Sequence, residues 1–138
     1  MDSKPLNSPE PLWITLGIIY TATLIFIGWS AYTDNLPAYL DAIPYYDTAG
    51  HFIIYGVATY LGQRIFQRSF LKLGWLQLPL FPLGFALLTV IEEGLQSLSP
   101  VRTFSLLDLV MSGAGLSLGY YLARSHQKRA STQPAKHQ

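Results

Sequence analysis

An all-α integral membrane bundle of four transmembrane helices is the fold this sequence predicts, and three observations predict it. Half of the 138 residues are apolar and only 12% are charged, against roughly 25% charged in a soluble domain. The charges are also crowded into a few stretches, leaving long runs without any. Those runs are apolar on every side, whereas a soluble surface helix sets a charged face opposite its apolar stripe. The mean hydropathy of +0.27 agrees.

The first run, residues 12–32, carries no charge and suffices for the ~20 residues that cross a ~30 Å hydrocarbon core. It outlasts the ~7–15-residue apolar region of a signal peptide. Trp29 and Tyr32 close it as interfacial aromatics do, so a retained helix is expected. A second helix is predicted over 46–66, extended upstream through Tyr45 and Tyr46, with Arg64 snorkelling at its far end. A third is predicted over 75–93, with Pro79 and Pro82 in its first half, where neighbouring helices absorb the lost backbone donors. The fourth, over 105–123, holds one acid, Asp108, near its start. No alternating strand pattern of a β-barrel is present. The chain thus divides into a cytoplasmic N-terminal segment (1–11), a transmembrane domain (12–123) and a disordered basic cytoplasmic tail (124–138).

Charge sets the orientation. The connection over 33–50 has Asp34, Asp41 and Asp47 but no Lys or Arg, whereas Arg64, Arg68 and Lys72 follow the second run. Arg124, Lys128, Arg129 and Lys136 populate the tail. Positive residues stay inside. Both termini and the middle loop are therefore predicted on the cytoplasmic side of the cytoplasmic (inner) membrane, with the first and third loops outside. His126 and His137, in the tail, are assigned no role. A net charge of +1 without a basic surface argues against a nucleic-acid partner. The absence of cysteine removes disulfides, thiol catalysis and cysteine metal sites.

Polar residues within or at the rim of a membrane are costly and are functional candidates by default. Asp47 and His51 stand i, i+4 and share a helix face at the start of the second helix; the plain alternative is a helix cap beside an interfacial histidine. Glu92, Glu93 and Gln96 end the third helix, where the helix dipole opposes acids. Arg102, just beyond Pro100, is the nearest cation in sequence, and a structural ion pair is the alternative there. Asp108, Ser112, Gly115 and Gly119 fall on one stripe of the fourth helix. The GxxxG spacing of the two glycines is a packing device, whereas packing does not call for Asp108. Under the predicted topology Asp47, His51, Glu92, Glu93, Gln96, Arg102 and Asp108 all reach the outer level. A shared polar pocket explains this better than separate interfacial pairs.

These residues resemble the pattern of the VanZ-like family of small bacterial membrane proteins. The family's Asp–x–x–x–His–Phe–x–x–Tyr stretch reads here as Asp47, His51, Phe52 and Tyr55. Its acid–Glu–x–x–Gln element reads as Glu92, Glu93 and Gln96, followed by Pro100, Arg102, Asp108 and then Gly115 and Gly119. The resemblance spans 47–119. Thr48 stands where the family often has Lys, Val101 where it usually has Gly, and Ser112 where it commonly has Asn. The resemblance implies a membrane fold and a cell-envelope role, in a family associated with resistance to the glycopeptide teicoplanin. It implies no particular reaction.

The favoured function is binding: an outward-facing polar pocket that holds an envelope lipid or precursor, or docks a partner membrane protein. Arg102 would meet phosphate or carboxylate, and Asp47, Glu93 and Asp108 would meet amines or hydroxyls. The alternative is an intramembrane enzyme acting on a lipid-linked or peptidoglycan-related substrate. His51 would then be the general base, oriented by Asp47, with Glu93 a second acid or base. No cofactor is implied. A single histidine without cysteine makes a zinc site weak, and a hard cation held by oxygens is the less strained metal variant. A small transporter or assembly factor is a third possibility, although no inverted repeat is evident. Oligomeric state is left open.

Overall fold

The computed structural model describes residues 10–66, 70–100 and 104–132. Among them the chain is mostly helical, with four α-helices and one short hairpin. Helix α1 spans Pro11–Tyr32 and is followed by a short 3-10 turn over Ala38–Ala42. Helix α2 spans Tyr46–Ile65, α3 spans Leu80–Gln96 and α4 spans Leu106–Thr132. Between α2 and α3, strands β1 (Phe70–Leu73) and β2 (Leu76–Pro79) pair antiparallel.

Local chemistry explains most boundaries. Pro11 opens α1 at a position whose N–H would have no intrahelical acceptor. Tyr45, at φ 57°, turns the chain into α2, and Asp47 in the first turn and Arg64 in the last both complement the helix dipole. Ser105 caps α4, its Oγ accepting the Asp108 N–H at 3.2 Å.

Two boundaries differ from the sequence reading. The third helix begins at Leu80 rather than near residue 75, because Leu76 to Pro79 pair with β1. Gly74 takes φ +59° at the first position of the two-residue turn, where a type II′ hairpin uses glycine. Pro79 then caps α3, and Pro82 falls in its first turn, where a missing donor costs no intrahelical bond. The fourth helix runs to Thr132, so residues 124–132 are helical where a disordered tail is expected. Contacts hold this extension. Tyr60 Oη lies 3.0 Å from His126 Nδ1, and Gln127 Nε2 donates to the Gln63 carbonyl at 3.2 Å. Arg68, Arg102, Lys136 and His137 lie outside the described residues.

Among the described residues, two helical segments are long and apolar enough to cross a membrane: Pro11–Tyr32 and Leu106–Lys128. Helix α3 has 17 residues, and α2 is diluted by Asp47, His51, Gln63 and Arg64.

Helix α2 is central. It runs parallel to α4, with Thr48 meeting Asp108 at one end and Gln63 meeting Gln127 at the other. Gly56 faces the backbone of Gly115 and Gly119, so the two helices touch backbone to backbone. Helix α3 is antiparallel to α2 along an aromatic column: Phe66 stacks on Phe81, Phe81 on Phe85, and Phe85 tilts against Tyr55. Helix α1 is also antiparallel to α2. Tyr20 donates to the Ile54 carbonyl at 2.8 Å, and the Arg64 guanidinium lies 4.3 Å from the Trp13 ring centroid.

The distribution of polarity is the reverse of a water-soluble core. The buried apolar side chains among the described residues are Ala58, Leu116 and Ala123. The buried polar ones include His51, Gln63, Glu93, Gln96, Asp108 and Ser112, while Ile25, Phe26 and Trp29 are 69–70% exposed. The two ends of the bundle also differ in charge: Asp47, Glu92, Glu93 and Asp108 gather at one, Arg64 and Arg124 at the other.

Candidate functional site

The acidic end is built from four helix termini. Helices α2 and α4 begin there, while α1 and α3 finish there. Asp47 and His51 lie one turn apart on α2, with His51 Nε2 3.9 Å from Asp47 Oδ1. The other ring nitrogen, Nδ1, is 3.0 Å from Ser112 Oγ on α4. One turn earlier on α4, Asp108 accepts a short hydrogen bond from Thr48 Oγ1 through Oδ1. His51 is 7% exposed, Asp108 4% and Ser112 0%. The five helix-α2 and helix-α4 positions coincide because both helices start at the same level and lie in parallel contact.

The imidazole joins this group to a second one. His51 stacks on Tyr55, their centroids 5.6 Å apart. Tyr55 Oη donates to Glu92 Oε2 at 3.3 Å, and Tyr32 Oη at the end of α1 donates to Glu92 Oε1 at 3.3 Å. Gln96 Nε2 donates to the same Oε1 at 2.6 Å. Glu92 is therefore the acceptor on which α1, α2 and α3 converge.

Glu93 points elsewhere, as adjacent helical positions must. It is fully buried, and its Oε1 accepts the backbone N–H of Ser105 at 2.6 Å. It thereby ties the end of α3 to the cap of α4, three residues before Asp108. Among the described residues its Oε2 is buried without a hydrogen-bond partner.

Above the two groups is a cavity of about 640 Å³ between α1, α2 and α3. Leu24, Ile27, Ile54, Phe85 and Leu88 supply apolar wall, and Asp47, His51, Tyr55, Glu92 and Gln96 supply its polar end. Glycines 28 and 50 also line it, and a Cβ on either would meet nothing within 4 Å.

Of the residues singled out in the sequence, Asp47, His51 and Asp108 come together, and Glu92 with Gln96 forms the adjoining group. Glu93 is close to the start of α4 but faces the packing between helices. Arg102 falls outside the described residues. Sequence reasoning assigned no site role to Tyr32, Tyr55, Thr48, Ser105 or Ser112. Tyr55 carried a usable signal, being i+4 from His51 on the same face. The role of Tyr32 depends on α1 packing beside α3, which no local pattern encodes.

Fold and site together define a helical bundle with a cluster of buried polar residues at one end, beneath an apolar groove. Comparison of the chain with protein-family models, with curated proteins and with solved structures gives no match.

Proposed function

We propose that this chain is a four-span, VanZ-like protein of the bacterial cytoplasmic membrane that binds an amphiphilic envelope lipid or lipid-linked precursor. The hydrocarbon part would lie in the groove between α1, α2 and α3, and the polar part would meet Asp47, His51 and Glu92. The observation that carries this reading is the groove itself. It is apolar along its length and polar at one end, and its 640 Å³ falls within the ~300–1,000 Å³ of ligand pockets. Spanning of the bilayer by all four helices is supported by the inverted burial: a carboxylate core wrapped in exposed Ile, Phe and Trp suits lipid, where polar groups are satisfied internally. The resemblance supports an envelope setting. Its two departures inside the helices, Thr48 and Ser112, both fall on the polar network, contacting Asp108 and His51.

Filling the groove tests the reading. Gly28→Trp places an indole in open space without a Cβ clash and should raise helix propensity by about 0.3–0.5 kcal/mol. The expected outcome is a well-folded protein that has lost most of the lipid co-purifying with the wild type, measured by mass spectrometry. An unchanged lipid complement refutes groove binding. Loss of a co-purifying protein instead, with lipid unchanged, marks the groove as a docking surface.

The proposed topology has its own check, made easy by a chain without cysteine. Single cysteines at Tyr45 and Leu98, which are 76% and 81% exposed at the acidic end, should react with an impermeant maleimide added outside. One at Trp75, 93% exposed in the hairpin turn, should be shielded. Labelling of Tyr45→Cys and Leu98→Cys from opposite sides rules out the arrangement.

An enzymatic reading rests on the His51–Asp47 pair, which borders the groove and could exchange a proton with a bound head group. Ser112 is too buried to serve as its nucleophile. Envelope-lipid profiles of His51→Gln cells separate the readings: accumulation of one lipid species supports catalysis, and an unchanged profile supports binding.

A further inference from the structure

We propose that the β1–β2 hairpin is a lipid-binding element that lies on the cytoplasmic leaflet, its leucine face in the boundary of the acyl chains and its cations against anionic phosphates. Register fixes the two faces. Leu71 pairs with Leu78 and Lys72 with Gln77, and residues directly opposite in an antiparallel ladder share a side. With side chains alternating along each strand, Leu71, Leu73 and Leu78 stand on one face and Phe70, Lys72 and Gln77 on the other. The polar face is turned to α4, where the Arg124 guanidinium lies 5.7 Å from the Phe70 ring centroid. The leucine face is turned away from it. Leu71 and Leu73 are exposed there, and Trp75, at the tip of the turn, is 93% exposed.

A hairpin of two four-residue strands is marginal in water and needs its apolar face packed on something. An amphipathic element with leucine and tryptophan on one side and cations on the other suits the membrane interface, the level that tryptophan favours. The depth is bounded as well. The sheet has only these two strands among the described residues, so each keeps an unpaired outer edge, which hydrocarbon would leave unsatisfied. The hairpin therefore belongs at the head-group level, with its leucines pointing inward. Its apolar face continues into exposed Phe66 at the end of α2 and exposed Leu80 at the start of α3.

Charge selects the occupant. Lys72 is on the hairpin itself, and Arg64 and Arg124 close the helices beside it, with Glu10 the one acid among the described residues at this end. Arg64 and Arg124 lie against the Trp13 and Phe70 rings, and the ion pair found among the described residues is that of His51 with Asp47 at the opposite end. The positive charge here is thus left for an anionic surface, which draws in basic segments flanking a membrane span.

The test reconstitutes the full chain in vesicles of phosphatidylcholine with phosphatidylglycerol, carrying a nitroxide on a single introduced cysteine. Leu71→Cys and Leu73→Cys report the leucine face, Gln77→Cys the polar face, and Ile25→Cys the exposed middle of α1. Electron paramagnetic resonance with oxygen and an aqueous nickel chelate as relaxants reads the depth of each label. The labels at Leu71 and Leu73 should favour oxygen several-fold more than the label at Gln77, and Lys72→Gln or vesicles of phosphatidylcholine alone should reduce that preference. Equal accessibility on both faces overturns the proposal. So does dipolar broadening between Leu73 labels, which would mark the face as a contact between two copies of the chain. A preference indifferent to phosphatidylglycerol overturns the part given to the cations. The inference rests on the membrane setting proposed above: an Ile25 label in water refutes that setting, whereas an Ile25 label in lipid beside a Leu73 label in water refutes the hairpin alone. The lipid content of Gly28→Trp does not depend on the hairpin, so groove binding is decided separately.

Discussion

Gly119→Leu is expected to leave no recoverable folded protein, and Gly119→Ala to melt well below the wild type. A Cβ at Gly119 would collide with the carbonyl oxygen of Gly56, and one at Gly115 with the carbonyl oxygen of Phe52. These neighbours are backbone atoms of the facing helix, so no side chain can swing aside. Relief requires α2 and α4 to separate. Overpacking a tight contact costs typically ~1–3 kcal/mol and occasionally more, and leucine inserts a whole branched side chain where even a Cβ has no room. The site should suffer with the fold, because the same contact sets the distance from His51 to Ser112 and from Thr48 to Asp108. Gly113→Ala is the control: nothing lies within 4 Å of its Cβ, and alanine is the better helix former. Thermal melting and elution from size-exclusion chromatography in detergent read all three variants. A Gly119→Leu protein that melts with the wild type would mean that the parallel α2–α4 contact is not what holds the bundle.

Glu93 should give the second-largest effect, and the choice of replacement should matter. Glu93→Ala removes the acceptor of the Ser105 N–H and opens a cavity where the side chain is fully buried. Losing a hydrogen bond to a charged group costs about 1.5–3 kcal/mol, and the unfilled volume adds to it. Glu93→Gln keeps an amide oxygen for Ser105. Its amide nitrogen takes the place of Oε2, which already lacks a partner among the described residues, so its loss should be less than half that of alanine. Melting temperatures of the two variants decide the point. Equal destabilisation would show that Glu93 acts through its charge, not as the acceptor that joins α3 to α4. Amide exchange at Ser105 gives a local reading, faster in Glu93→Ala and close to wild type in Glu93→Gln.

Helix positions were legible where sequence signals are local. The uncharged run that forms α1, the acid that opens α2 and the Asp108–Ser112–Gly115–Gly119 stripe all follow from neighbours within one or two turns. The hairpin before α3 was not legible. Leu76 to Pro79 carry no charge and run on into the uncharged start of α3, and their pairing with Phe70–Leu73 is a contact between segments. The extension of α4 to Thr132 was hidden for a related reason. Its composition reads as a polar tail, and its order comes from Tyr60 and Gln63 on another helix.

The candidate site divides in the same way. Asp47 with His51, and Glu92 with Gln96, are separated by single turns, so periodicity alone places each pair on a face. That all of them belong to one end of the molecule follows from helix order along the chain. Tertiary packing alone decided that Glu92 faces Tyr32 and Tyr55 while Glu93 turns to Ser105, and that Ser112 and Thr48 complete the surroundings of His51 and Asp108. A helical repeat states which residues share a stripe; which partner that stripe meets depends on how closely two backbones approach. Here the approach is set by Gly56, Gly115 and Gly119, which carry no side chain to hold the helices apart.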